Sequence, residues 1–339
     1  MAAVISQAFR LRAPTMDDLA AVVDVMNAHT QACMGIAEFT VERMQSEWTS
    51  PRFELAESAR VVTAPDGRIV GYAALWDTAD VLVRAWADGY VHPAFEGQGI
   101  GTLMLEWAEA RARQALHRAP EGARFTLDTS FVSTYEPARR LIEGYPGMTH
   151  IRTFWEMRID LDAEIPAPVW PQGIAVRPIN PDTEARAYIA AFRDAFRDRW
   201  GFVADEPFET VMEHWQHIMD TEPDFDPSLW FAAFDGDEIA GVALCWPKAD
   251  GEPEVGWINI LGVRRPWRKR GLALALLRHA LRAFQERGQA AAGLGVDSSN
   301  LTGATKLYEN AGMRVFRRFN TYSKELRPGV DLVTRTVGE

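Results

Sequence analysis

Alternating apolar and polar positions mark one strand–turn–strand segment in each half of the chain. The first segment reads RVVTAPDGRIVGYAALW and the second reads LWFAAFDGDEIAGVALCW. Asp66-Gly67 and Asp235-Gly236 separate the apolar runs, and an Asp-Gly pair in that position is a strong β-hairpin signal. The pattern therefore predicts a β-hairpin at matching places in the two halves.

A strand and then a helix follow each predicted hairpin. The strands end at Val91 and Val263, and the apolar positions after the second strand have helical spacing at Leu272, Ala275, Leu276, Ala280 and Phe284. Another strand, another helix and a closing strand come next in both halves. Each half is therefore predicted as mixed α/β, of the α+β type, with a mostly antiparallel sheet flanked by helices.

The two halves keep nearly the same register along their length. Gly71 corresponds to Gly241, and Gly99 corresponds to Gly271. A repeat of this length is too long for a solenoid and indicates a duplicated domain. The proline-rich segment Asp160–Gly173 reads as a linker, so the sequence predicts one domain over residues 1–166 and a second over 167–339.

The composition excludes a few classes of function but does not select one. The chain has 339 residues, with 36 Lys and Arg against 47 Asp and Glu, for a net charge of −11. This balance argues against a nucleic-acid partner, which normally requires a basic surface, and is compatible with a cationic substrate such as an amine. The two cysteines, Cys33 and Cys245, form neither a disulfide framework nor a metal cluster. No signal peptide and no apolar run of membrane-spanning length is present, so we expect a cytoplasmic protein with no membrane partner and no metal.

A short turn joins the strand to the long helix in each half, and its residues favour anion binding. The turns read EGQGIG over residues 96–101 and RKRGLA over residues 268–273. The first N–H groups of a helix have no partners within it, and small residues allow a phosphate to approach the backbone. The plainer alternative is a strand-to-helix turn with solvated basic residues, because a glycine-rich turn alone is a weak signal.

The spacing of both turns resembles the R/Q-x-x-G-x-G/A signature of the GCN5-related N-acetyltransferases, the GNAT superfamily. The resemblance extends over almost the whole chain, in a tandem arrangement similar to that of the mycothiol synthases. It implies that the turn binds the pyrophosphate of acetyl-CoA, the cosubstrate, and that the preceding strand pairs with the pantetheine arm. The residues implied are Leu261, Gly262, Val263, Arg268, Lys269, Arg270, Gly271, Leu272 and Ala273 in the second half and Val91, Gly97, Gln98, Gly99, Ile100 and Gly101 in the first.

A second segment of the later half, VDSSNLTGATKLYENAGM, resembles the family's Asn…A-x-x-x-Y…G-[FM] pattern. The resemblance implies that Asn300 contacts the pantetheine arm, although it lies one residue farther from Tyr308 than is usual. It also implies that the Tyr308 hydroxyl protonates the departing thiolate, which suits a phenol because it stays protonated at neutral pH. For the base that deprotonates the amine we expect Glu254, ahead of Asp297.

The first half departs from both patterns. Ile142 stands at the place of Tyr308, with Tyr145 about one helical turn away, and Glu96 stands at the place of Arg268. We therefore expect the second half to be catalytic and the first to be a degenerate, structural or ligand-binding copy. An acceptor pocket is expected from the aromatic and imidazole side chains at the start of the second half, with core packing as the alternative: Trp200, Phe202, His214 and Trp215.

These observations lead to one expected function and two alternatives. The expected function is transfer of an acetyl group from acetyl-CoA to a primary amine of a small molecule. The alternatives are a non-catalytic CoA or acyl-CoA sensor and a protein N-acetyltransferase. The sequence names neither the acceptor nor the oligomeric state.

Overall fold

A computed structural model describes residues 9–300 and 302–335 of the chain. The elements up to the middle of the chain are β1 (Arg10–Arg12), α1 (Leu19–Met34), α2 (Val41–Trp48), α3 (Leu55–Ser58), β2 (Ala59–Thr63), β3 (Ile69–Trp76), β4 (Arg84–Val91), α4 (Ile100–Gln114), β5 (Phe125–Val132), α5 (Glu136–Gly144) and β6 (Thr149–Asp160). The remaining elements are β7 (Ile174–Pro178), α6 (Pro181–Ala195), α7 (Phe208–Thr221), β8 (Trp230–Asp235), β9 (Glu238–Trp246), β10 (Val255–Val263), α8 (Leu272–Glu286), β11 (Ala291–Asp297), α9 (Ala304–Asn310) and β12 (Arg314–Arg327).

The chain forms two compact units that are not continuous in sequence. The first unit consists of the chain up to Arg152 together with Asp205–Pro223 and Phe319–Leu332. The second consists of Thr153–Ala204, Asp224–Arg318 and the chain from Val333 onward. The division at residues 166 and 167 remains a prediction about the repeat along the sequence, and the compact units are described separately below.

In the first unit, β1 to β4 form an antiparallel run in chain order, and β5 then pairs with β4 in parallel. The predicted hairpin is present, with Gly67 in the left-handed region at φ +85° in its turn. Helix α4 packs against β3 and β4 through Ile100 and Met104, which contact the sheet at Gly71.

In the second unit the same plan recurs. Strands β7 to β10 pair antiparallel in chain order, and β11 pairs with β10 in parallel. Helix α8 covers this sheet with a continuous apolar face that includes Leu272, Leu276 and Phe284. The predicted mixed α/β class with mostly antiparallel pairing is confirmed for both units.

The strand that closes each half in sequence completes the sheet of the other unit. Within the first unit β5 pairs antiparallel with Phe319–Arg327 of β12. Within the second unit β11 pairs antiparallel with Phe154–Asp160 of β6. The first unit also contains α7, where His217 Nε2 lies 2.9 Å from the Ser46 carbonyl oxygen. The duplicated sequences have therefore exchanged strands at equivalent positions.

In each unit the two parallel strands pair over only a few residues and leave an open edge beyond. Strand β4 pairs with β5 only from Arg84 to Trp86, and β10 pairs with β11 only from Val255 to Ile258. The antiparallel ladder between β9 and β10 has a register shift between Ile258 and Ile260, at the place where the pairing of β10 with β11 stops. In each unit we call the space between the unpaired ends of the two parallel strands the groove. The turn predicted from the sequence follows directly after the strand at one side of it, β4 or β10.

Candidate active site

The turn after β10 has a backbone conformation that suits an anion. Lys269 and Gly271 both lie in the left-handed region, at φ +60° and +83°, on either side of Arg270. Left-handed residues in a tight turn direct successive N–H groups into one concavity, and the 15-residue helix α8 adds the free N–H groups of its first turn. Lys269, Arg270 and Gly271 are exposed, whereas Leu272 is buried and anchors the helix and Ala273 is half-buried. The predicted turn residues therefore lie together around an accessible backbone concavity.

The C-terminal end of β10 presents free backbone groups to the groove. The Arg264 N–H donates to the Ala240 carbonyl oxygen at 3.0 Å, and Gly241 is aligned with Val263. Antiparallel pairs alternate between bonded and non-bonded, so Leu261 and Val263 direct their N–H and C=O groups away from β9. Among the described residues no strand pairs with β10 on that side beyond Ile258. This edge can accept an extended amide-bearing chain.

Gly262, between these two residues, is close to the end of α6. A Cβ at this position would lie 2.9 Å from Cε2 of Phe196 and 3.0 Å from Cβ of Ala195. Glycine is therefore required by packing on one face of β10. Because Gly262 alternates with Leu261 and Val263, its own N–H and C=O groups face β9.

Arg268 is engaged with the protein itself. Its guanidinium donates to the Asp198 carboxylate at 2.5 Å, to the Ala195 carbonyl oxygen at 3.0 Å and to the Val263 carbonyl oxygen at 2.9 Å. Arg265 binds the same carboxylate, and the two guanidinium groups lower the pKa of Asp198 to about 2. Arg268 thus fixes the turn to β10 and to the segment after α6, and Lys269 and Arg270 remain as the exposed cations.

Tyr308 lies on α9 in the core of the second unit, with 6% of its surface exposed. Burial raises the pKa of its phenol to about 12, so the hydroxyl remains protonated at any physiological pH. The Asn300 side chain accepts hydrogen bonds from the N–H groups of Thr302 and Ala304, at 2.8 and 3.2 Å. Asn300 therefore orders the start of α9, while the left-handed Gly303 occupies the capping position itself.

The two carboxylates considered as a base lie at opposite ends of the parallel pair. Glu254 is exposed in the turn before β10, at the end remote from the turn at Lys269. The nine residues of β10 separate the two ends by about 30 Å. Asp297 is the last residue of β11, only 8% exposed, and one carboxylate oxygen accepts from the Ser299 N–H at 2.8 Å. The geometry favours Asp297 over Glu254.

The corresponding turn of the first unit has the same backbone shape. Gly97 and Gly99 are left-handed, at φ +73° and +87°. Gln98 is exposed, Ile100 is buried at the start of α4, and a Cβ on Gly101 would lie 2.7 Å from Leu141. The concavity seen beside Lys269 and Gly271 is thus repeated.

The side chains around this first-unit turn differ from those of the second unit. Ile142 is buried in the core, and the Tyr145 hydroxyl donates to Glu109 at 2.8 Å. Glu96 accepts a hydrogen bond from Tyr135. Sequence reasoning missed Tyr135, because the tyrosine precedes α5 and matches no position of the family pattern.

The aromatic residues considered for an acceptor pocket belong to different units. Trp200 and Phe202 lie in the second unit, whereas His214 and Trp215 lie on α7 in the first. Trp215 is buried, and burial lowers the pKa of His214. The four residues therefore do not form one cluster within either unit, and their role in an acceptor pocket remains a prediction.

The described residues also bear on metal and membrane binding. Within residues 9–300 and 302–335, no group of three or more His, Cys, Asp or Glu side chains is arranged to hold a metal ion. In the same part of the chain, no helix is long and apolar enough to cross a membrane.

Comparison with known proteins finds matches over both halves. The model of the acetyltransferase (GNAT) family matches residues 24–129 and 189–313. A mycothiol acetyltransferase of Streptomyces bingchenggensis is 31% identical over 270 residues, 77% of this chain and 77% of that protein. Another, from Thermobispora bispora, is 31% identical over 229 residues, 66% of this chain and 70% of that protein.

Solved structures are similar over nearly the whole chain. A GCN5-related N-acetyltransferase from Sphaerobacter thermophilus shares 34% identity and a TM-score of 0.77, covering 97% of this chain and 99% of its own. A tandem GNAT protein from the clavulanic acid biosynthesis pathway shares the fold, with 18% identity, a TM-score of 0.71 and coverage of 95% and 100%. The tandem architecture expected from the sequence is confirmed.

Proposed function

Because the chain belongs to the acetyltransferase (GNAT) family, we propose that it transfers an acetyl group from acetyl-CoA to a primary amine of a small molecule. We further propose that its second unit carries out the reaction. One observation carries the proposal: the helix that follows the last strand of the parallel pair has a buried, protonated tyrosine, Tyr308, in the second unit. At the matching place of the first unit lies Ile142, which has no proton to donate.

The groove of the second unit suits acetyl-CoA in two respects. The turn at Lys269 and Gly271 supplies converging N–H groups and two exposed cations for a diphosphate. The free backbone groups of Leu261 and the free N–H of Val263 suit an extended chain that contains amide bonds. When bound, acetyl-CoA supplies an activated thioester and a thiolate leaving group.

The protein's part in the reaction is to position the reactants and move two protons. A C–N bond forms as the C–S bond breaks, the amine loses a proton, and the sulfur gains one. Tyr308 holds a proton at its hydroxyl, and its pKa of about 12 keeps the hydroxyl protonated, so that it can donate to the sulfur as negative charge develops there and the C–S bond breaks. Asp297, at the same end of β11 as the start of the α9 segment, is our preferred acceptor for the amine proton.

A small-molecule acceptor is supported by the relatives. The similar proteins from Streptomyces bingchenggensis and Thermobispora bispora are named mycothiol acetyltransferases, after a small molecule. At 31% identity the acceptor itself can differ, so we propose the class and not mycothiol in particular.

The proposal is tested by measuring thiol release from acetyl-CoA with a panel of amines, polyamines, aminoglycosides, amino acids and peptides. We expect release with one or more of the small amines and a product 42 Da heavier by mass spectrometry, the mass that replacement of an amine hydrogen by acetyl adds. Binding of acetyl-CoA without release for any acceptor would indicate a sensor instead. Release with peptides alone would indicate a protein N-acetyltransferase.

A further inference from the structure

We propose that the groove of the first unit is closed to acyl-CoA by a bridge between Glu96 and Tyr135, so that the chain binds one acyl-CoA, in its second unit. The inference rests on the proposed function, because it takes acyl-CoA as the ligand of the open groove. It goes beyond that function by assigning a number of sites and a structural reason for that number.

The bridge joins the two walls of the first-unit groove. Strands β4 and β5 pair in parallel only as far as Trp86, and beyond it they bound the groove on either side. Glu96 belongs to the turn after β4, whereas Tyr135 follows β5, where its N–H donates to the Val132 carbonyl oxygen at 2.8 Å. The Tyr135 hydroxyl donates to the Glu96 carboxylate. Both side chains therefore lie where a ligand would pass from the strand edge to the turn.

His29 of α1 packs against Tyr135 and so holds this side chain in the bridging position. Its ring meets the Tyr135 ring edge-on, with 5.1 Å between centroids, and its Nδ1 lies 3.1 Å from the Val91 carbonyl oxygen. The His92 N–H donates to the Val70 carbonyl oxygen, so the alternation of the ladder directs the Val91 carbonyl into the groove. The Val91 carbonyl is thus bonded to His29, as the matching Val263 carbonyl is bonded to Arg268, so this contact holds His29 against Tyr135 but does not itself distinguish the two grooves.

The second unit shows the opposite arrangement at the matching position. Arg268 corresponds to Glu96, but its guanidinium turns toward the end of α6, to Asp198 and the Ala195 carbonyl oxygen. By alignment of α9 with α5, the residue corresponding to Tyr135 is Leu301, which lies outside the described residues and has no hydrogen-bonding group. In the second unit the turn is therefore hydrogen-bonded to the segment around the end of α6, whereas in the first unit it is hydrogen-bonded across the groove to Tyr135.

The negative charge of Glu96 also disfavours acyl-CoA in the first-unit groove. A diphosphate in the first-unit concavity would lie beside the half-buried carboxylate of Glu96, where like charges repel. The backbone concavity formed by Gly97 and Gly99 is intact. Opening the groove therefore requires changes to side chains only.

The test counts acyl-CoA sites by isothermal titration of the full-length protein with acetyl-CoA. We expect one equivalent to bind the wild type. The double variant Glu96→Arg/Tyr135→Phe, which removes the bridge and restores the family's cation, is expected to bind two. Two equivalents on the wild type, or a double variant that still binds one, would overturn the proposal. Wild type that binds none would overturn the proposed function as well.

A matched pair of glycine variants locates the site. Gly99 and Gly271 have nearly equal φ, at +87° and +83°, and a Cβ at Gly271 would contact nothing within 4 Å. Valine at either place strains the turn, because the left-handed region disfavours β-branched residues. We expect Gly271→Val to weaken acetyl-CoA binding at least tenfold and Gly99→Val to leave affinity and stoichiometry unchanged, with the folded state checked by circular dichroism. The reverse result would contradict the assignment.

Discussion

At the scale of single residues, one position explains much of the difference between the two copies. Glu96 and Arg268 occupy the same place in the repeat, yet Glu96 accepts from Tyr135, whereas Arg268 donates to Asp198 and to the Val263 carbonyl oxygen. The sequence itself shows that the charge at this place is negative in the first copy and positive in the second. It does not predict the partners, because Asp198 lies 70 residues away in the chain from Arg268.

Asp198 provides a test of this arrangement. Its side chain is 2% exposed and binds both Arg265 and Arg268, so Asp198→Asn should destabilise the protein by ~2 kcal/mol at neutral pH. The folded-state pKa is lowered to about 2, so the stabilisation is present above the unfolded pKa of about 4 and is lost as the pH falls toward 2. Melting temperatures measured between pH 2 and pH 7 should therefore differ most between wild type and variant above pH 4 and converge below it. A difference that grows on acidification would contradict this account.

At the scale of elements, a strand edge, a tight turn and a helix N-terminus together form the candidate donor site. Apolar spacing predicted α8, which begins at Leu272, and the glycine pattern predicted the turn before it. The sequence did not indicate that Lys269, a residue with a Cβ, would be left-handed in the place that Gly97 occupies in the first unit. The two turns have the same positive φ at this matching position, although only the first has glycine there.

Lys269 is therefore expected to combine strain with function. Lys269→Gly should raise stability by up to about 1 kcal/mol, because a side chain at positive φ is unfavourable. It should also raise the KM for acetyl-CoA several-fold, because one of the exposed cations is removed. Lys269→Asn is the matched control, since asparagine tolerates the left-handed region without the charge. It should raise KM equally, and an unchanged KM in both variants would exclude a role for this cation.

At the scale of the whole molecule, the repeat was readable from the sequence but the exchange of strands was not. The closing strands β6 and β12 have similar alternating patterns, and either would suit the open side of β5 or of β11. The alternation of apolar and polar residues determines which face of a strand is buried. It does not determine whether the neighbouring strand comes from the same half of the sequence or from the other half. For the same reason the sequence assigned α7 to the second half, whereas it packs within the first unit.

The exchange predicts how the chain responds to division. A fragment of residues 1–166 lacks the Phe319–Arg327 strand that pairs with β5, and it also lacks α7. We expect this fragment to expose a strand edge and to aggregate or to unfold without cooperativity, and we expect co-expression with residues 167–339 to restore a soluble complex. The comparison is made by size-exclusion chromatography and thermal melting. A fragment 1–166 that is monomeric and melts cooperatively would contradict the importance of the exchanged segments.

The central claim is that acetyl transfer takes place in the second unit with Tyr308 as the proton donor. The most direct measurement is kcat of Tyr308→Phe with the best amine found in the acceptor panel, alongside Tyr145→Phe from the first unit as the control. We predict that Tyr308→Phe lowers kcat by roughly 100-fold or more while its fold and its affinity for acetyl-CoA are retained. Tyr145→Phe, which removes only the hydrogen bond to Glu109, should keep wild-type kcat. Wild-type turnover by Tyr308→Phe would contradict the account.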